Sequence, residues 1–236
     1  VWVGTNISTG HIQSFDDTTG DLINFVALGA SDLITDIDAD SSYVYACHAL
    51  TALYKYDNAL SLQWTKAGAS TSQWNGIAVE HGSDEVYAGA FSTATSNSRW
   101  NRFDSAGTLI ATSAFFSAGV GSIAPHGIAV NTSREVVIAG GTAVTTRSIN
   151  SWNSVIPTSL TWRYPAAFGT PLGGDPTAVV IDSSGNVWAA GSEIDGAGGT
   201  IGIRKFDPTG ATLLDIAGDL SAIAVDASGN IFAAST

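Results

Sequence analysis

Two stretches decide the fold: Ala178-Val-Val-Ile-Asp-Ser-Ser-Gly-Asn-Val-Trp-Ala189 and its near copy Ala222-Ile-Ala-Val-Asp-Ala-Ser-Gly-Asn-Ile-Phe-Ala233. Each reads as an apolar strand, a polar turn and a second apolar strand. Asp182 and Asp226 can accept bonds from the backbone two residues on, and Gly185 and Gly229 supply the positive φ of a tight hairpin. The flanking residues are β-branched, aromatic or small, as strands buried on both faces require. Three looser copies precede them, at Thr35–Ala46, Gly76–Ala88 and Gly127–Ala139. The turn anchors at 40, 80, 131, 182 and 226 are spaced by 40, 51, 51 and 44 residues.

A second motif lies between the copies, also five times: an aromatic followed by Asp or Asn, a polar turn and another strand. Its instances are Phe15-Asp16, Tyr56-Asp57, Phe103-Asp104, Trp152-Asn153 and Phe206-Asp207. Each unit of roughly 45 residues therefore holds four strands, inner A, then B, C and outer D, and units of that kind and period build a β-propeller. The expected fold is all-β, a single propeller over residues 1–236 with five four-stranded blades (six as the alternative). One blade closes from residues 1–32 with 220–236, and the others span about 33–72, 73–122, 123–174 and 175–219.

Strand counting leaves one B-type strand over, at one terminus. Val1, Trp2 and Val3, or Ile231 and Phe232, would lie in it. Three readings stay open: it caps the closing blade, it belongs to a longer or six-bladed array, or it is donated to a neighbouring molecule.

Nine Lys and Arg stand against 21 Asp and Glu, a net charge of −12. No electropositive surface is available for a phosphate backbone, so nucleic-acid binding is excluded. Apolar runs are too short for a helical membrane span. The chain has 51 Ser and Thr, three Lys and no Met. That surface suits an extracellular, cell-surface or virion protein, and the missing Met suits a processed chain or a segment. The lone cysteine, Cys47, precludes an internal disulfide and reads as a small buried hydrophobe.

The Gly-Ile-Ala-Val and Gly-Asn-Val/Ile signatures, followed by Lys205-Phe-Asp-Pro-Thr-Gly210, resemble NHL-type propellers and their relatives, the gluconolactonase-like hydrolases and streptogramin lyases. The likeness covers the whole chain and concerns strand and turn chemistry. Pro125-His126-Gly127-Ile128 is similar to a turn of the streptogramin and amidating lyases, whose His serves catalysis or binds metal.

Propeller ligands usually meet the loop entering strand A. Here that position holds Thr35, Asn75, His126, Thr177 and Ser221, the expected channel-mouth binding residues. One imidazole among hydroxyls and an amide supplies neither a metal geometry nor an acid/base pair, so no catalytic residue, metal or cofactor is expected. His11, His48 and His81 fall on different blades, at edge or exposed positions. Trp64 and Trp162 occupy matching places on outer strands, where they either pack between blades or stack on sugars. Asn6 and Asn131 begin glycosylation sequons.

The function expected on these grounds is a non-enzymatic structural or interaction module, self-associating or bound to another surface or virion protein, with a filament subunit as one form. The alternatives are a lyase- or lactonase-type enzyme and a glycan-binding propeller.

Overall fold

The structure is a computed structural model. It describes residues 1–4, 9–30, 34–48, 52–67, 72–92, 97–113, 125–140, 147–155, 159–164, 172, 174–192, 194, 200–226 and 228–235. Four antiparallel sheets of four strands follow one another along the chain. They are β4 (Ile34–Ala39), β5 (Tyr43–His48), β6 (Ala52–Asp57), β7 (Leu62–Ala67); β8 (Ser72–Glu80), β9 (Glu85–Ser92), β10 (Asn97–Phe103), β11 (Leu109–Thr112); β12 (Pro125–Val130), β13 (Glu135–Gly140), β14 (Ser148–Asn153), β15 (Leu160–Tyr164); and β16 (Pro176–Ile181), β17 (Val187–Gly191), β18 (Ile201–Phe206), β19 (Thr212–Ala217). Before them stands a three-stranded sheet of β1 (Trp2–Gly4), β2 (Thr9–Phe15) and β3 (Leu22–Ala30). After them comes a pair, β20 (Ala222–Val225) and β21 (Ile231–Ala234).

Five strands thus lie outside the four full sheets, three at the start of the chain and two at its end, and among the described residues no ladder joins the two groups. The surplus B-type strand expected at a terminus is present, and both candidates for it, β1 and β21, have one neighbour. β1 pairs with β2 through Trp2↔Ser14, and β21 pairs with β20 through Val225↔Ile231.

The turns form as their residues dictate. Asp182 Oδ1 accepts the amides of Ser184 and Asn186 at 3.0 and 2.9 Å, and Gly185 sits at φ +80°. The aromatic-Asp motif works the same way at the other end of each blade. Asp104 accepts from Ala106 and Thr108, and Asp207 from Thr209 and Ala211. At all five such turns the strand register shifts beside the aromatic, so each outer strand carries a bulge there, which adds local twist.

The core lies in layers between successive sheets. Ile12, Ile34, Val44 and Tyr56 fill the first junction, and Tyr45, Leu53, Trp74 and Phe103 the second. Tyr87, Trp100, Ile138 and Trp152 fill the third; Ile149, Trp162, Val187 and Phe206 the fourth. Each such buried side chain contributes about 1.5–3 kcal/mol. Among the described residues no comparable layer lies between β16–β19 and β20–β21.

Candidate functional site: the central channel

The five inner strands, β4, β8, β12, β16 and β20, line a central cavity of about 810 Å³ that is open to solvent. Four of them open with a bulge of their own. The residue squeezed out of register is Thr35, Asn75, His126 or Thr177, four of the five positions expected at the channel mouth. Ser221 directly precedes β20. A bulge re-aims its side chain, which is why these residues turn away from the ladder. Thr35, His126, Thr177 and Ser221 line the channel; Asn75 does not.

Two of the hydroxyls are already committed. Thr35 Oγ1 donates to the Trp74 carbonyl at 2.9 Å, and Thr177 Oγ1 to the Ser221 carbonyl at 3.0 Å. Each bond runs from one sheet to the entry of the next, so these threonines fasten neighbouring sheets together. His126 reaches solvent at the mouth. Crowding by the wall holds its pKa below the ordinary value, with Asp175 opposing and Arg147 reinforcing. Arg147 and Asp175 are paired with each other at 2.6 Å. Among the described residues no three His, Cys, Asp or Glu side chains converge to hold a metal ion.

Sequence reasoning overlooked two channel residues, Asp36 and Asp38. Asp36 accepts the amide of Ile37 on its own strand and that of Ile77 on β8, each at 2.9 Å. Asp38 repeats this two residues on, accepting from Ala39 at 2.8 Å and from Val79 at 2.7 Å. The two carboxylates therefore staple the inner edge of β4 to that of β8. Burial pushes Asp36 up to about 7, against its two amide bonds and with Asp38 adding to the rise. Burial also raises Asp38, its amide bonds and His81 opposing. A signal was present, because the matching positions elsewhere are small or apolar: Gly76 and Ala78, Gly127 and Ala129, Ala178 and Val180, Ala222 and Ala224.

The remaining candidates fall into place around this ring. Cys47 is fully buried, and burial drives its thiol pKa far up, which leaves it unreactive. His48, expected at an exposed or edge position, is 2% exposed, because burial of β5 runs on to its last residue. Trp162 is buried and Trp64 half-buried. Each lies against a positive-φ glycine in the next blade's outer turn, Trp64 against Gly107 and Trp162 against Gly210. Their rings are thereby occupied by packing. Asn131 spends its side chain on the turn, accepting from Ser133 and Glu135. Asn6 lies outside the described residues. Of the terminal strand residues, Val1, Val3 and Phe232 are exposed, while Trp2 packs on the first core layer.

Comparison with solved structures adds the deciding observation. A protein of unknown function from Bacteroides caccae superposes with a TM-score of 0.72 at 9% identity, covering 98% of this chain and 80% of that one. The Pan2 WD40 domain of Neurospora crassa superposes at 0.65 and 11% identity, covering 92% and 62%. The chain is a β-propeller. At such identities the likeness shows the fold alone. No family model and no curated protein matches the chain. No helix among the described residues is long and apolar enough to cross a membrane.

Proposed function

We propose that this propeller is a non-enzymatic structural and interaction module that works outside the cell or on a virion, as a subunit that associates with its own copies or with another surface protein. The observation that carries the reading is how its side chains are spent. The channel's Thr and Asp groups are bonded to neighbouring blades, whereas large apolar side chains stand open on β19 and β21. A surface of that kind supports macromolecular contact better than small-molecule turnover. The finer likeness to NHL-type propellers rests on turn sequences and fits a binding scaffold equally.

The test is negative-stain electron microscopy with light scattering on the purified 236-residue chain. Oligomers or filaments, lost on deleting Val1–Gly4 or residues 231–236, are expected. Monodisperse particles of 24.2 kDa overturn self-association and leave only the partner of another kind.

One observation favours the enzyme alternative: a bulge presents His126 to solvent with its imidazole biased toward the neutral form. A divalent-metal titration that perturbs His126, and not a His126→Gln variant, would shift weight to it.

A further inference from the structure

Each outer strand places one residue at the same register, just past the bulge. The five are Asn24, Trp64, Ala111, Trp162 and Leu214, facing Ser14, Lys55, Arg102, Ser151 and Lys205. At three of the four sheets that have a next sheet beside them, this residue covers that sheet's outer turn, the small Ala111 being the exception. Asn24 donates to the Ala59 carbonyl, Trp64 Nε1 donates to the Ser105 carbonyl, and the rings of Trp64 and Trp162 roof Gly107 and Gly210. Lys55 helps, donating to the same Ser105 carbonyl at 3.0 Å.

At the last full sheet the seat is built, and no described residue fills it. Leu214 is 45% exposed, Ile216 beside it 41%, and Phe232 on β21 59%. Lys205, at the register of Lys55, leans on the Trp188 ring 3.6 Å from Asp182. The complementary half is at the other end of the chain. Gly20, in the β2–β3 turn, has the same positive φ as Gly107 and Gly210, +74° against +77° and +87°. Unlike them it has no described residue over its face within 4 Å. That turn is acidic, carrying Asp16, Asp17 and Asp21, which matches the Lys205 ammonium.

We infer that the β18–β19 face of one molecule receives the β2–β3 turn of a second copy, with Leu214 roofing Gly20 and Lys205 meeting the acidic turn. This rests on the self-association reading above and names its interface. The contact is heterologous, so it propagates head to tail. The completed blade has room for one B strand, so either β21 or the incoming β1 gives way.

The experiment mixes two single variants, Leu214→Cys and Thr19→Cys, under mild oxidation; fully buried Cys47 stays silent. The mixed pair is expected to give a two-chain disulfide product, and Leu214→Asp to weaken association by at least about tenfold. Leu214 is exposed, so the variants fold, which circular dichroism checks. Cross-linking only within single molecules of a Thr19→Cys/Leu214→Cys double variant overturns the inference in favour of a ring closed on itself. No cross-link in either format overturns it too. Oligomers untouched by Leu214→Asp refute this interface and leave self-association standing, whereas a chain monomeric at every concentration removes both.

Discussion

Replacing Asp36 by Asn removes a proton-linked term from folding without removing the side chain's shape. The folded carboxyl titrates at about 7, against an ordinary value of 3.8. Between those limits the folded state holds a proton that the unfolded chain has lost, so stability falls as pH rises through this window and levels off above it. At about 1.4 kcal/mol per pKa unit, the wild type loses on the order of 3 kcal/mol between pH 5 and pH 8 through this group. The amide of the Asp36→Asn variant carries no titration and still accepts one backbone N–H, so the variant's stability lacks that slope. Asp104, Asp207 and Asp226, held low by their turn bonds, contribute in the opposite sense at more acid pH and are common to both proteins. Urea unfolding followed by tryptophan fluorescence at pH 5, 6, 7 and 8 reads the difference directly. A wild-type minus Asp36→Asn difference that stays flat, or grows in favour of the wild type with pH, refutes the argument that burial outweighs the two amide bonds.

Other substitutions probe the joints between blades. Gly127→Val brings a β-carbon within about 3 Å of the Ala178 and Val179 backbone, which cannot retreat, and should cost about 1–3 kcal/mol in a thermal melt. Trp162→Ala empties the fourth core layer and unroofs Gly210; about 3–5 kcal/mol is expected in chemical denaturation. Glu85→Gln deprives the buried Arg102 of a bidentate partner at 2.8 Å and should cost about 3 kcal/mol, while Arg102→Met with Glu85→Gln recovers part of the loss. Thr35→Val deletes the hydroxyl bond to Trp74 and should lower stability by about 1 kcal/mol.

How much of this was legible depends on whether a residue acts along the chain or across it. Asp182, Gly185 and Asn186 form a turn with each other, so their spacing alone announces a hairpin, and five such hairpins announce blades. The channel-mouth positions could also be placed, because they sit at a fixed offset before each inner strand. Their chemistry could not. Whether Thr35 meets a ligand or the Trp74 carbonyl depends on a strand 39 residues away. Asp36 was hidden for the same reason. In sequence it resembles Asp38 and the turn acid Asp40 that follow it, and only the approach of β8 makes it a buried staple. His48 was misplaced because a strand end looks exposed until the tertiary fold covers it.

The same distinction bears on what holds a propeller shut. Within a blade, the ladder satisfies most backbone groups and the turns cap the rest, so each sheet is locally determined. Between blades there is no ladder, and the joints depend on side chains that reach across: Thr35 and Thr177 at the mouth, Asp36 and Asp38 along one wall, Trp64 and Trp162 at the rim. These devices differ from joint to joint, although the hairpins they join are nearly copies. A repeat fold whose units are alike but whose joints are individual fixes the order of its blades, since shifting one blade along the ring would set Gly76 where Asp36 must accept an amide. The open Leu214 seat follows the rim device at Trp64 and Trp162, which makes it a joint with a definite kind of partner, an acidic glycine turn, in place of a generic apolar patch.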